Sequence, residues 1–268
     1  MKIALGQFGA GPDKAANLDR MRELTRGAAA AGASLVLFPE GAMVSQPPDR
    51  SLAPAAERVD GPFVAALGEM ARRHGIAAVA GMFESIPGDD RVYNTVVALD
   101  AAGSLIGSYR KVHLYDAFGY RESDRVRAGD GDTLRFSIEG TVLGVQTCYD
   151  LRFPELTRHL VGRGAEVVLL PAAWVRGPLK ESHWEVLLRA RAIECTCYVA
   201  AAGMVSAQYC GCSMLVDPMG VPVARAGEVE ALVVGEVDPR RVASVRRTNP
   251  SLENARPDVY ASWLPLKI

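Results

Sequence analysis

Cys148, Glu40 and Lys111 are three reactive side chains that each stand just beyond an apolar run. Val142 to Thr147 reads as a buried strand, because β-branched residues fill it and polar ones bound it. Cys148 follows where that strand stops, and Pro154 with Glu155 suits the first turn of a helix reaching Val161. A thiol on such a strand-to-helix connection stands clear of the sheet with backbone N–H groups beside it, a suitable place for an attacking atom. Glu40 closes the run Ser34 to Phe38, and Lys111 follows the strand Leu105 to Tyr109. Sites in α/β sheets assemble at the carboxyl ends of strands. Taken singly, each residue also has a plainer reading: a small buried cysteine, a solvated carboxylate, a salt-bridging surface ammonium.

The elements that must position these residues follow from periodicity. Lys2 to Phe8 is a short strand, and Asn17 to Ala31 carries Leu18, Met21, Leu24, Thr25 and Ala28 at helical spacing. Pro62 to His74 reads as a helix, and Ile76 to Phe83 and Tyr93 to Leu99 as strands. The polar loop Lys111 to Asp132 is long enough to suggest function rather than linkage. Thr133 to Ile138, Val167 to Leu170 and Ala231 to Val237 add strands, while His183 to Glu194 and Pro239 to Arg246 add helices. Continuous apolar strands are expected where both faces of a sheet are covered. The alternation implies an α/β fold with sheets covered by helices on the outside. No linker composition interrupts it, so residues 1–268 are expected to form one domain, with the irregular tail from Asn249 packing on a partner.

Composition narrows the partners. The chain has 268 residues and a formal net charge of −1 with both signs interspersed, which favours neither nucleic acid nor an anionic membrane. The uncharged run Cys195 to Val216 is broken by Ser206, Gln208, Gly211 and Ser213 into the β-like pieces CYVAAAGMV and CGCSMLV, so two buried neighbouring strands explain it better than a membrane span. Five cysteines and a start, MKIALGQ, too short for a signal-peptide core imply reduced thiols in a cytoplasmic protein. Cys195-x-Cys197 and Cys210-x-Cys212 are spaced too tightly for a usual zinc site, and alternating strand positions explain them, so no metal is expected.

LVLFPE, YRKVHLYD and CYDLRFPEL, in this order, resemble the three catalytic motifs of the nitrilase, or carbon-nitrogen hydrolase, superfamily. The likeness extends through PAAW, HWEVLLRARAIE and SMLVDPMG to NPSLENARPDVY. It implies a four-layer αββα sandwich of two mixed β-sheets covered by helices, a homodimer or larger even assembly, and a cofactor-free catalytic set of Glu40, Lys111 and Cys148 with Glu122 as a second glutamate. Glu40 would deprotonate Cys148, whose thiolate attacks an amide carbon. Lys111 and backbone N–H groups after Cys148, beginning with Tyr149, would hold the oxyanion. A thioester and its hydrolysis would follow.

CYDLRFPEL and HWEVLLRARAIE are closest to the deaminated-glutathione amidase and omega-amidase-like members. The chain departs from them at Trp174 and Ala255 and in the segment VRGPLKES. The substrate expected is therefore a small linear amide, with Trp174 lining the pocket and Arg152 or Arg176 gripping a substrate carboxylate. Arg152 has the alternative of pairing with Asp150. An N-carbamoyl amidohydrolase or nitrilase would use the same triad, and a binding protein on the same fold would use none of it. His113 and His183 carry no local mark of a papain-like partner for Cys148.

Overall fold

The structure is a computed structural model that describes residues 1–263. Its first half runs β1 (Lys2–Gln7), α1 (Lys14–Ala30), β2 (Leu35–Leu37), α2 (Pro62–His74), β3 (Ala77–Ser85), β4 (Val92–Leu99) and β5 (Leu105–Arg110). The segment after Lys111 is not an open loop but holds three short strands, β6 (Asp116–Ala117), β7 (Tyr120–Arg121) and β8 (Val126–Arg127). The second half runs β9 (Arg135–Ile138), β10 (Thr141–Val145), α3 (Pro154–Gly162), β11 (Val167–Ala172), α4 (Lys180–Cys195), β12 (Tyr198–Gly203), β13 (Met214–Val216), β14 (Pro222–Arg225) and β15 (Ala231–Glu236). Helices α5 (Pro239–Thr248) and α6 (Pro257–Trp263) close the described chain.

Two mixed sheets result. One has the order β15-β1-β2-β3-β4-β5, with β8 beside β4, and the other the order β14-β13-β12-β11-β10-β9. In the first, β1, β2 and β3 are parallel, with Ile3 beside Leu35 and Leu35 beside Ala77. In the second, β10, β11 and β12 are parallel, with Leu143 beside Val167 and Val167 beside Tyr198.

Side-chain alternation along these strands builds the layers. Ile3, Leu5, Leu35 and Leu37 belong to the core that includes Leu143, Val145, Val167 and Leu169 of the other sheet. The intervening Ala4, Val36 and Phe38 pack instead with Met21 and Leu24 of α1 and Phe63 and Leu67 of α2. Leu156 and Leu160 of α3 and Trp184 and Leu188 of α4 cover the second sheet. The order helix, sheet, sheet, helix is the αββα sandwich. Each aliphatic side chain sealed in it contributes roughly 1.5–3 kcal/mol of burial.

Local chemistry sets the helix ends. The Asp13 carboxylate accepts from the N–H of Ala15 at 2.8 Å and so caps α1, which starts earlier than its apolar spacing suggests. Pro62 opens α2, and Gly75 closes it with a positive φ of 64° that glycine adopts freely.

Several expectations change. Cys195 is the last residue of α4 and Cys197 precedes β12, with Thr196 between them at a positive φ of 47°, so these thiols do not alternate along a strand. Cys210 sits in an isolated antiparallel bridge with Val205, and Cys212 ahead of β13 takes a positive φ of 54°. All five cysteines are free, and among the described residues no His, Cys, Asp and Glu group is arranged to hold a metal ion. The pieces on either side do form antiparallel neighbours, β12 and β13. No described helix is long and apolar enough to cross a membrane. The tail expected to be irregular is helical over α6, and its residues Leu264 to Ile268 lie outside the described residues.

One close approach governs the position of Glu40. A Cβ placed on Gly81 in β3 would lie 2.6 Å from the Gly41 nitrogen and 2.7 Å from the Glu40 Cα. Backbone cannot yield as a flexible side chain would, so Gly81→Ala should push the Glu40 segment outward. The expected result is a stability loss of about 1–3 kcal/mol in denaturant unfolding, with a steeper loss of activity. Unaltered stability and activity would show that the segment gives way freely.

Candidate active site

The ends of β2, β5, β10 and β11 converge on one cavity of about 790 Å³, lined among others by Glu40, Lys111, Glu122 and Cys148. Lys111 follows β5, and its N–H donates to the Asn94 carbonyl of β4 at 2.8 Å, so the sheet ladder fixes where its side chain begins. The side chain is only 2% exposed. Its Nζ donates to Glu40 Oε1 at 2.9 Å and to Glu122 Oε2 at 2.8 Å. Asn94 Nδ2 bridges the same two carboxylates, at 2.7 Å from Glu40 and 3.1 Å from Glu122. Across the sandwich, the Ala173 N–H at the end of β11 donates to Glu40 Oε2 at 2.8 Å. Glu122 is held in turn by the Tyr115 N–H at 2.6 Å.

Cys148 opens a 3-10 turn, Cys148–Arg152, between β10 and α3, and takes a positive φ of 46°. A non-glycine residue there costs of order 1 kcal/mol, so the surroundings must enforce it. Asp150 does so. Its buried carboxylate accepts from the Thr147 N–H at 2.9 Å, the Tyr109 hydroxyl at 2.7 Å, the His113 N–H at 3.1 Å and His113 Nδ1 at 2.8 Å. Tyr109 and His113 flank Lys111, so one carboxylate ties the nucleophile turn to the strand that carries the lysine. The N–H groups that begin such a turn have no partner inside it, and that of Tyr149 is the next after Cys148.

The electrostatics follow from burial and mutual charge. Burial raises the pKa of the Glu40 carboxyl, but the Lys111 ammonium, the nearby Cys148 thiol and the Ala173 N–H outweigh it and hold the group below the usual carboxylate range. Burial and the neighbouring Glu40 charge push the Cys148 thiol well above its ordinary value. Burial opposes the charge of Lys111, but Glu122 and Glu40 keep it firmly protonated. The resting site is therefore a protonated thiol facing an ionised carboxylate, with an ammonium alongside.

Other expected residues are distributed differently. Tyr149, Trp174 and Arg176 line the cavity, but Arg152 is not among its lining residues. Arg152 stacks instead 5.0 Å from the Trp174 ring centre and approaches His183 Nδ1 at 3.4 Å, and it does not pair with Asp150. Arg176 donates to the Tyr209 carbonyl at 3.1 Å and pairs with Glu228 at 3.5 Å. Trp174 donates to the Lys180 carbonyl at 2.8 Å and packs on Trp184. His113 serves Asp150 and stacks on Phe153, with ring centres 3.8 Å apart. Asn94 and Asp150 carry much of this arrangement. The sequence signal for Asn94 is an amide within the otherwise apolar run of β4; Asp150 had none beyond its place after Cys148.

A thiol, an ionised carboxylate and a buried ammonium thus meet at the strand ends of an αββα sandwich. Residues 2–247 match the carbon-nitrogen hydrolase family, and the chain belongs to that family. It is a carbon-nitrogen hydrolase of the nitrilase superfamily. It is 42% identical to the deaminated glutathione amidase of Escherichia coli O157:H7 over 96% of this chain and 97% of that one. It is 36% identical to the deaminated glutathione amidase of Rattus norvegicus, covering 98% and 85% of the two chains. An amidase from Nesterenkonia sp. superposes with a TM-score of 0.86 at 30% identity, covering 98% and 96%. A glutamate-to-glutamine variant of the Nesterenkonia sp. AN1 amidase, with acrylamide added to its active-site cysteine, superposes with a TM-score of 0.86 at 29% identity, covering 98% and 100%.

The charge states predict the pH profile. Glu40 can act as a base only when ionised, so activity should be lost as pH falls through its depressed pKa, below the usual carboxylate range. The alkaline limit should lie above the ordinary range of a free thiol. With an amide that does not titrate, kcat/KM should be flat from about pH 6 to about pH 8. A bell centred near neutrality would contradict the resting charges.

Proposed function

We propose that the protein hydrolyses a small linear amide through a thioester on Cys148, releasing ammonia or an amine and a carboxylic acid. The observation that carries this reading is the thiol facing Glu40 beside a lysine gripped by two carboxylates. Glu40 takes the thiol proton as Sγ bonds to the amide carbon, so no free thiolate need form in advance. The electron pair displaced from the C=O bond settles on oxygen, where the Lys111 ammonium and the Tyr149 N–H stabilise it. As the carbonyl re-forms, the C–N bond breaks and Glu40 returns its proton to the departing nitrogen. Water then adds to the thioester, giving a proton to Glu40, and the C–S bond breaks with that proton returning to sulfur.

Glu122 keeps Lys111 charged and aimed, which makes it a supporting residue. The cavity is of the size that holds small molecules, and its wall is largely aromatic and aliphatic. The relatives named deaminated glutathione amidase support the reading of an amide substrate, and we infer that it is a small acid bearing an uncharged amide.

We also propose a homodimer. Ile193 of α4 stands beside Gly220, next to Met219 and Val221, and these three apolar side chains are 46%, 53% and 53% exposed. Exposed apolar surface of this kind marks an association face. Light scattering at micromolar concentration should give twice the 28.7 kDa chain mass or a larger even multiple; a monomer would contradict the pairing.

Cys148→Ala should abolish ammonia release while leaving the unfolding midpoint near that of the parent, because little volume is deleted. Intact mass spectrometry of the parent with a panel of amides should show an acyl adduct on Cys148 that the variant lacks. Wild-type-like turnover in the variant would sink the mechanism.

A further inference from the structure

Lys180, the first residue of α4, is a second buried ammonium in the wall of the same cavity. It is only 4% exposed, yet it forms no ion pair among the described residues, in contrast to Lys111 with its two glutamates. Its Nζ makes one hydrogen bond, to the Tyr115 hydroxyl at 3.0 Å, which leaves two of its three donors uncommitted. The rest of its surroundings are ring faces: Phe118 at 4.3 Å, Tyr115 at 4.8 Å and Trp174 at 5.2 Å from the ammonium. Aromatic faces attract a cation but supply no counter-charge, and a buried charge without one is costly. Burial and the nearby Arg152 charge lower its pKa accordingly.

The alternatives are fewer than the number of cationic residues suggests. Lys111 is committed to Glu40 and Glu122, and Arg176 to Glu228 and the Tyr209 carbonyl. Arg125 also lines the cavity, with its Nε and Nη2 unbonded, but it is only half-buried. Lys180 is the better placed relative to the chemistry. Lys180 and Cys148 line the same cavity, and Tyr115 joins the two regions, since its N–H holds Glu122 while its hydroxyl holds Lys180.

We propose that Lys180 is a specificity-determining residue that binds a carboxylate of the substrate, so that the amide at the other end of the molecule is presented to Cys148. This rests on the amidase reading above. An incoming carboxylate supplies the missing counter-charge and occupies the free donors, while the rings exclude water and strengthen the pair. A neutral amide of the same length would leave the ammonium unpaired.

The test uses the full chain and ammonia release from the monoamides of succinic and glutaric acid, with butyramide as the neutral counterpart. The parent should prefer the monoamides. In Lys180→Met, the ratio of kcat/KM for monoamide over butyramide should fall by about tenfold to a hundredfold, mainly through KM. Lys180→Arg should recover part of the ratio. Inhibition of butyramide hydrolysis by succinate should weaken in Lys180→Met in parallel. Equal losses on charged and neutral amides would show that Lys180 only supports Tyr115 and would overturn the assignment. So would an unchanged ratio, or a ratio that collapses in Arg125→Gln but not in Lys180→Met. If the parent released ammonia from butyramide but showed no preference for the monoamides, only the carboxylate assignment would fall. If it released none from any amide, the amidase reading would fall and this proposal with it.

Discussion

The ammonium of Lys111, almost wholly shut off from water, is the charge on which the rest of the site depends. Taking an ion of this kind out of water costs several kcal/mol unless partners and hydrogen bonds compensate. Here Glu40 and Glu122 supply two carboxylates for one cation, with Asn94 donating to both. The cluster is negative by one charge overall. Burial first, and the Glu40 charge with it, disfavour a thiolate, which would add a second uncompensated charge in a low-dielectric setting. The proton therefore stays on sulfur in the resting site.

The same requirement explains the architecture around the cavity. A buried ion cluster tolerates little displacement; Glu40, Asn94 and Lys111 come from the first sheet and Glu122 from the segment beyond β5, so the second sheet must be held in register with them. Glu40 is held across the sandwich by the N–H of Ala173, and Asp150 joins Tyr109 and His113 on one side to Thr147 on the other. These contacts are hydrogen bonds to charged acceptors, worth more than neutral ones and dependent on geometry. The fold thus places reactive groups on rigid strand ends and fixes the left-handed backbone at Cys148 by packing rather than by glycine.

Away from the reacting atoms the cavity changes character. Tyr115, Phe118, Tyr149 and Trp174 form an aromatic wall, and the hairpin of β6 and β7 places Phe118 and Gly119, both at positive φ, at its tip. The polar end gathers Glu40, Lys111, Glu122 and Cys148. The aromatic end, with the chain's own segment VRGPLKES, is where selectivity between amides can arise.

The sequence alone made the strand ends legible, and with them Glu40, Lys111 and Cys148, because apolar runs and their limits are local properties of a chain. Helix α2 was legible to the residue, since Pro62 and Gly75 mark its two ends chemically. Glu122 was visible only through resemblance, for nothing near it in the chain shows that it meets Lys111. Asn94 and Asp150 lay in plain view, but their partners are far off in sequence: Asn94 binds Glu40 across 54 positions and Asp150 binds Tyr109 across 41. Arg152 and Arg176 were reasonable candidates by charge, yet stacking and ion pairing commit them elsewhere, while Lys180 was left without a counter-ion. Which charges are paired depends on strand order and on the packing of one sheet against the other, so it is settled only when the two sheets close on each other.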